Sequence, residues 1–156
     1  MKIALGADHR GIETARAIAT HLEREGHETV VIGPAGDESC DYPEPAYGVA
    51  RSVADHDAER GVLICGTGIG VSIAANKVKG VRAAVVHDEI TAQLSRSHND
   101  ANVVCLSGDL LGQRLMEKIV GLFIKTEFEG GRHARRLDKI AAIERGEDPA
   151  GVTNQV

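Results

Sequence analysis

Residues 61–77, GVLICGTGIGVSIAANK, run from an apolar stretch through three closely spaced glycines into a segment of helical composition. Val62-Leu63-Ile64-Cys65 has no polar interruption, the pattern of a strand buried on both faces. Gly66-Thr67-Gly68-Ile69-Gly70 follows and leads into Val71-Ser72-Ile73-Ala74-Ala75-Asn76-Lys77. A strand, a glycine loop and a helix start aim several backbone N–H groups at one point, where the helix dipole favours negative charge. Cys65 stands at the strand end beside those amides, a setting that favours a thiolate. The same residues suit a plain tight turn with one core cysteine, and a lone glycine loop does not choose between the two.

On either side of this stretch, strand and helix patterns alternate. Residues 2–8 read as a buried strand, and 9–25 as a helix with Ile12, Ala15, Ile18, Ala19 and Leu22 on one face and Gly26 at its end. Residues 27–32 form a second strand, 33–41 a loop, and a helix opens at Pro43 and runs to about Asp57. Beyond the glycine loop come a strand over 81–86, a helix over 88–96, a strand over 102–106, and helices over 111–125 and 132–145. The alternation predicts an α/β protein with a three-layer αβα Rossmann-like fold. Its five-stranded parallel sheet is expected in the order 2-1-3-4-5, with an extra C-terminal helix. One domain is expected over residues 1–146, and a flexible tail over 147–156. Ligands bind such sheets beyond the carboxyl ends of the strands, where strand order reverses. That point falls between the first and third strands, so Gly6-Ala7-Asp8-His9-Arg10-Gly11 would face Cys65-Gly66-Thr67-Gly68 across one crevice.

Composition narrows the function classes. The chain of 156 residues carries a net charge of −5, so nothing electrostatic points to nucleic acid or an anionic membrane. Aromatics are 3% of residues and Trp is absent, which leaves no stacking platform for bases. Cys40, Cys65 and Cys105 have no metal-ligand spacing and read as reduced thiols of a cytoplasmic protein. No signal peptide or membrane span is expected. Cys105 lies mid-strand and reads as core, whereas Cys40 lies in a loop. His9 follows the first strand at the switch point, and His87 ends the fourth strand; His21, His27 and His56 read as surface. Arg132 and Arg136 are four apart and share a helical face, an arrangement that suits phosphate but equally a solvated basic surface.

Six segments in order and at similar spacing closely resemble the ribose-5-phosphate isomerase B family, which also contains the galactose-6-phosphate isomerase subunits. They are GADHRG (6–11), DYP (41–43), CGTGIG (65–70), SIAANK (72–77), SHNDANV (97–103) and GGRH (130–133), and the likeness spans about residues 1–145. The resemblance implies an aldose–ketose isomerase of a phosphorylated sugar, working through an enediolate with no metal and no cofactor. Its catalytic residues would be Cys65 as base, His98 in ring opening and Thr67 for hydroxyl protons. Gly66, Gly68, Ile69 and Gly70 would supply amides to the enediolate oxygen. Asp8 and Asn99 would bind sugar hydroxyls, and His9, Arg132 and Arg136 the phosphate. The partners implied are a small-molecule sugar phosphate and a second copy of the chain, in a homodimer with shared active sites and arginines from the partner subunit. Ribose 5-phosphate is the leading substrate; a tetrose or hexose phosphate such as galactose or allose 6-phosphate, or a non-catalytic binding subunit, are the alternatives. Many family members carry an arginine in the loop after the fifth strand that assists phosphate binding, where this chain reads Ser107-Gly108-Asp109.

A nucleotide-binding domain is the main rival from another class. Gly66-x-Gly68 follows a strand, and Asp88 stands near the distance of a ribose-binding acid. Against it, Val71 replaces the third small residue, the loop follows the third strand rather than the first, and no P-loop sequence occurs.

Overall fold

The computed structural model describes residues 1–36 and 38–153. Five parallel strands, β1 (Lys2–Ala7), β2 (Glu28–Ile32), β3 (Arg60–Cys65), β4 (Ala83–Val85) and β5 (Val103–Ser107), alternate with helices. The helices are α1 (Ile12–Arg24), α2 (Pro43–Ala54), α3 (Ile69–Ala75), α4 (Glu89–Ser97) and α5 (Gln113–Lys125), with α6 (Arg132–Glu144) following α5 directly. The α/β class and its three layers are as the alternation predicts. The sheet order is β2-β1-β3-β5-β4, so the last two strands are exchanged relative to expectation. Burial explains the exchange. All five residues of β5 are buried, as a central strand requires, whereas the three of β4 are only partly covered and take the edge. The reversal between β1 and β3 is unaffected.

The two faces of the sheet hold separate cores. On one, Ile3, Leu5, Val62, Ile64, Val104 and Leu106 pack against α1 and α5, with Phe123 fully buried. On the other, Ala4, Leu63, Val103 and Cys105 meet α2 and α3. Here α2 rides very close to the strands. A Cβ at Gly6 would lie 2.6 Å from Val49, and one at Gly61 2.7 Å from the same side chain. Two strand glycines thus make the socket into which Val49 fits. Asp88 caps α4 by accepting from the Thr91 N–H, which also holds its carboxyl below the usual range.

Within the segment expected as a tail, Pro149–Gly151 wind into a 3₁₀ turn, and Lys139 of α6 donates to the Pro149 carbonyl at 2.9 Å. Residues 154–156 lie outside the described residues. Among the described residues no helix is long and apolar enough to cross a membrane.

Phe123→Ala removes the largest fully buried side chain, which also lies under the Arg96 guanidinium at 5.8 Å. Denaturant titration is expected to show a loss of about 3–5 kcal/mol.

Candidate active site

Parallel strands send every strand-to-helix loop to one edge of the sheet. Asp8 and His9 follow β1, the glycine loop follows β3, and Gly108 and Asp109 follow β5, so all meet at the carboxyl edge. The glycine loop is fixed from its β5 side. Ser107, fully buried, donates its hydroxyl to the Gly66 carbonyl at 2.6 Å, and the Asp109 N–H donates to the same oxygen at 3.1 Å. Gly108 N–H donates to the Cys65 carbonyl at 2.9 Å. Gly68 then turns the chain with φ +77, and a Cβ there would press on the Leu106 carbonyl carbon at 3.0 Å, so only glycine fits. That turn carries the Gly68 N–H to 3.2 Å from the Cys65 sulfur.

Cys65 is buried but keeps 5% of its surface, in contrast to the completely covered Cys105. Burial pushes the Cys105 thiol far up, the Ser72 hydroxyl only partly offsetting it, and that cysteine is core as its mid-strand position implies. Cys40 is raised as well, first by burial and then by Glu44, Asp41 and Asp8. Two loop amides are already engaged, Gly68 with Cys65 and Ile69 with the Thr67 hydroxyl at 3.3 Å. Thr67 and Ile69 are exposed at the rim, and the Tyr42 ring covers Gly70, where a Cβ would lie 2.8 Å from it. Asp8 is buried, and its Oδ1 accepts from the Arg10 and Gly11 amides at 2.9 and 3.2 Å. The exposed His9 sets Nδ1 3.2 Å from the Cys40 carbonyl and 3.4 Å from the Cys40 amide. If Nδ1 accepts from that amide, the proton sits on Nε2, free to donate to an anion.

His98 and Asn99 are elsewhere. They follow α4 and precede β5, which puts them at the amino edge. Gly61 is level with Val103 and Cys65 with Ser107, so the two edges are four residues apart along the sheet, about 13 Å. His98 is the C-cap of α4 and stacks on His133, with ring centroids 4.1 Å apart and planes 9° from parallel. Glu129 lies 3.9 Å from His98 Nε2 and 3.8 Å from His133 Nε2. Arg132 reaches His133 with its Nε at 3.4 Å, and Arg136 stands exposed one turn along α6. The turn that carries His98 and Asn99 is anchored by Arg96. This nearly inaccessible side chain bonds Asp100 and the Ala101 carbonyl, both at 2.7 Å, while Asp100 also binds Arg82 at 2.8 Å. One chain therefore assembles the Cys65 group and the His98 group at opposite edges.

His98, Glu129 and His133 offer ligand atoms within 4.8 Å of one another. A metal lies in the plane of each imidazole that binds it, and two parallel stacked rings do not share such a point without turning. The arrangement is that of an imidazole pair sharing one carboxylate. Glu129, His133, Ser107 and the Arg96–Asp100 pair escaped sequence reading. His133 sits inside the quoted GGRH segment, which was the one signal available for it.

The sequence profile of the ribose/galactose isomerase family matches residues 3–140. The chain belongs to that family. It is 45% identical over 143 residues to ribose-5-phosphate isomerase B of Escherichia coli, covering 92% of this chain and 96% of that one. Among solved structures, ribose-5-phosphate isomerase B of Clostridium thermocellum matches with a TM-score of 0.92 at 47% identity, over 94% and 99% of the two chains. The Mycoplasma genitalium enzyme, solved with bound ribulose-5-phosphate, matches at 0.88 and 46% identity, over 92% and 96%. Family membership and the position of the loop after β3 dispose of the nucleotide-binding alternative.

Burial, then His98 and the Arg132 guanidinium, hold His133 below the ordinary imidazole value of 6.5, Glu129 opposing them. Its folded state binds a proton less readily than the unfolded chain, so its contribution to stability is complete above that value and lost as pH falls below it. NMR titration is expected to place His133 below 6.5, and His133→Gln to flatten the acid-side fall in unfolding free energy.

Proposed function

We propose that this chain is a metal-independent aldose–ketose isomerase that interconverts ribose 5-phosphate and ribulose 5-phosphate. The observation that carries the reading is the Cys65 sulfur, held 3.2 Å from a backbone N–H at the switch point of the sheet. The ligand seen in the Mycoplasma genitalium relative supports the substrate class.

In this reading the Cys65 thiolate removes the C2 proton of the open-chain aldose, and the C2–H electron pair becomes the enediolate double bond. The Gly68 N–H, relieved of stabilising sulfur charge as the thiol forms, and the Ile69 N–H, released as the Thr67 hydroxyl turns to the substrate, join the amides of Gly66 and Gly70 around the developing oxyanion. Cys65 then returns its proton to C1, and Thr67 handles the hydroxyl protons. Asp8, whose second carboxylate oxygen meets no donor among the described residues, and Asn99 bind sugar hydroxyls. His9, Arg132 and Arg136 bind phosphate, and His98 moves the proton that opens the ring.

Such a site needs His98, Asn99, Arg132 and Arg136 brought about 13 Å across the sheet, and a second copy supplies them. A two-fold axis that lays one chain's amino-edge group over the other's carboxyl edge completes both sites at once. Exposed apolar residues support the pairing: Ile69 and Ile73 on α3, and Ile140 and Ile143 on α6, are each 46–59% exposed. A groove of about 450 Å³ along α6 is lined by Asn99, Ala83, Ile140 and Ile143.

Cys65→Ala is expected to abolish exchange of the substrate's C2 proton with solvent while the fold persists; unchanged exchange removes Cys65 from the base role. His98→Ala should lose more rate on cyclic than on open-chain substrate. Mixing the two variants, assayed on cyclic substrate, tests the shared site. Half of the redistributed dimers would be mixed, each with one intact site, so about a quarter of wild-type activity should return. No recovery after exchange of subunits would mean that each site is built within one chain.

A further inference from the structure

We propose that Arg10, held in place by Asp109, is an additional phosphate-binding side chain of the substrate site. This rests on the isomerase reading above and assigns to the site a residue outside the set named there. Arg10 follows Asp8 and His9 at the carboxyl edge, and its backbone N–H is pinned by Asp8 Oδ1 at 2.9 Å. Its side chain crosses from the β1 loop to the β5 loop, where Nη2 donates to Asp109 Oδ2 at 2.6 Å. The bridge runs directly over the glycine loop. A Cβ on Gly66 would lie 3.6 Å from the Arg10 Nε, 3.7 Å from its Cζ and 3.0 Å from Asp109 Oδ2. A fixed guanidinium thus stands against the residue next to Cys65.

Stability gives this bridge little reason to exist. The Arg10 and Asp109 side chains are 57% and 42% exposed, and ion pairs so open to water contribute little. What the pair does is aim a planar fork. Asp109 takes one of five guanidinium donors, and among the described residues no other acceptor meets the group. The remaining donors suit two oxygens of one phosphate. The sign of the local field also calls for it, since Asp8, Asp41, Glu44 and Asp109 cluster at this edge and would repel a dianion. Where the family resemblance leads one to expect an arginine, this chain has Asp109; the guanidinium arrives instead from the facing loop, with the acid as its holder. Arg10 is the ligand-contacting group and Asp109 a positioning residue.

The test is steady-state kinetics of the full chain on ribose 5-phosphate, together with competitive inhibition and calorimetric binding by inorganic phosphate. Losing a charge-assisted contact, Arg10→Ala should raise KM and the phosphate inhibition constant in parallel by about tenfold, with kcat kept within about threefold. Arg10→Lys keeps the charge without the fork and should fall between. Asp109→Asn should raise KM by a smaller factor with kcat unchanged, and should add nothing further in the Arg10→Ala background. The double variant R10A/D109R should recover part of the lost phosphate affinity. Equal inhibition by phosphate in wild type and Arg10→Ala, or a KM change with no parallel change in phosphate inhibition, overturns the proposal. Absence of wild-type turnover alongside phosphate binding that depends on Arg10 would instead overturn the isomerase reading and leave the phosphate site standing.

Discussion

A single contact, the Gly68 N–H to the Cys65 sulfur at 3.2 Å, fixes the geometry on which the proposed chemistry depends. It exists only because Gly68 takes a left-handed conformation that side chains resist, pressed against the backbone of Leu106. That in turn requires β5 to be the immediate neighbour of β3, with Ser107 and the Asp109 amide gripping the Gly66 carbonyl. Had β4 taken the inner position, as the sequence reading expected, the loop would have lost these partners. Strand order, which looks like a matter of architecture, is here a condition for presenting the thiol.

The same architecture separates the residues proposed for the site. In a parallel sheet the loops that leave strands and the loops that enter them lie at opposite edges, whatever their sequence. Asp8, His9 and the glycine loop belong to the first kind, His98 and Asn99 to the second. The fixed spacing along β3 keeps them apart, and the buried Arg96 ties down the turn that carries His98 through Asp100 and the Ala101 carbonyl. On the shared-site proposal a second chain is the physical remedy, and the exposed isoleucines of α3 and α6 offer apolar surface for it to cover.

Much of this was legible beforehand. Apolar runs and helical spacing gave each strand and α-helix to within a few residues, and the chain reversal between β1 and β3 brought Asp8 and Cys65 to one edge. The exchange of β4 and β5 was not legible, because 81–86 and 102–106 are both short apolar runs and differ mainly in how completely they are covered. The separation of His98 from Cys65 was available in principle, since a residue just before a strand lies at its amino edge. The SHNDANV motif by itself does not say which edge it occupies. The Arg10–Asp109 bridge joins residues 99 apart, and the His98–His133 stack residues 35 apart. Such contacts follow from packing and leave no local periodicity to detect.

The opposite-edge arrangement carries a consequence beyond geometry. On the shared-site reading an isolated chain is folded yet inert, because every residue is in place except those belonging to its twin. Specific activity then becomes a function of protein concentration, falling on dilution as pairs come apart although each core remains intact. On that reading folding and competence are separate thresholds, and the second is set by the strength of one surface against its own copy.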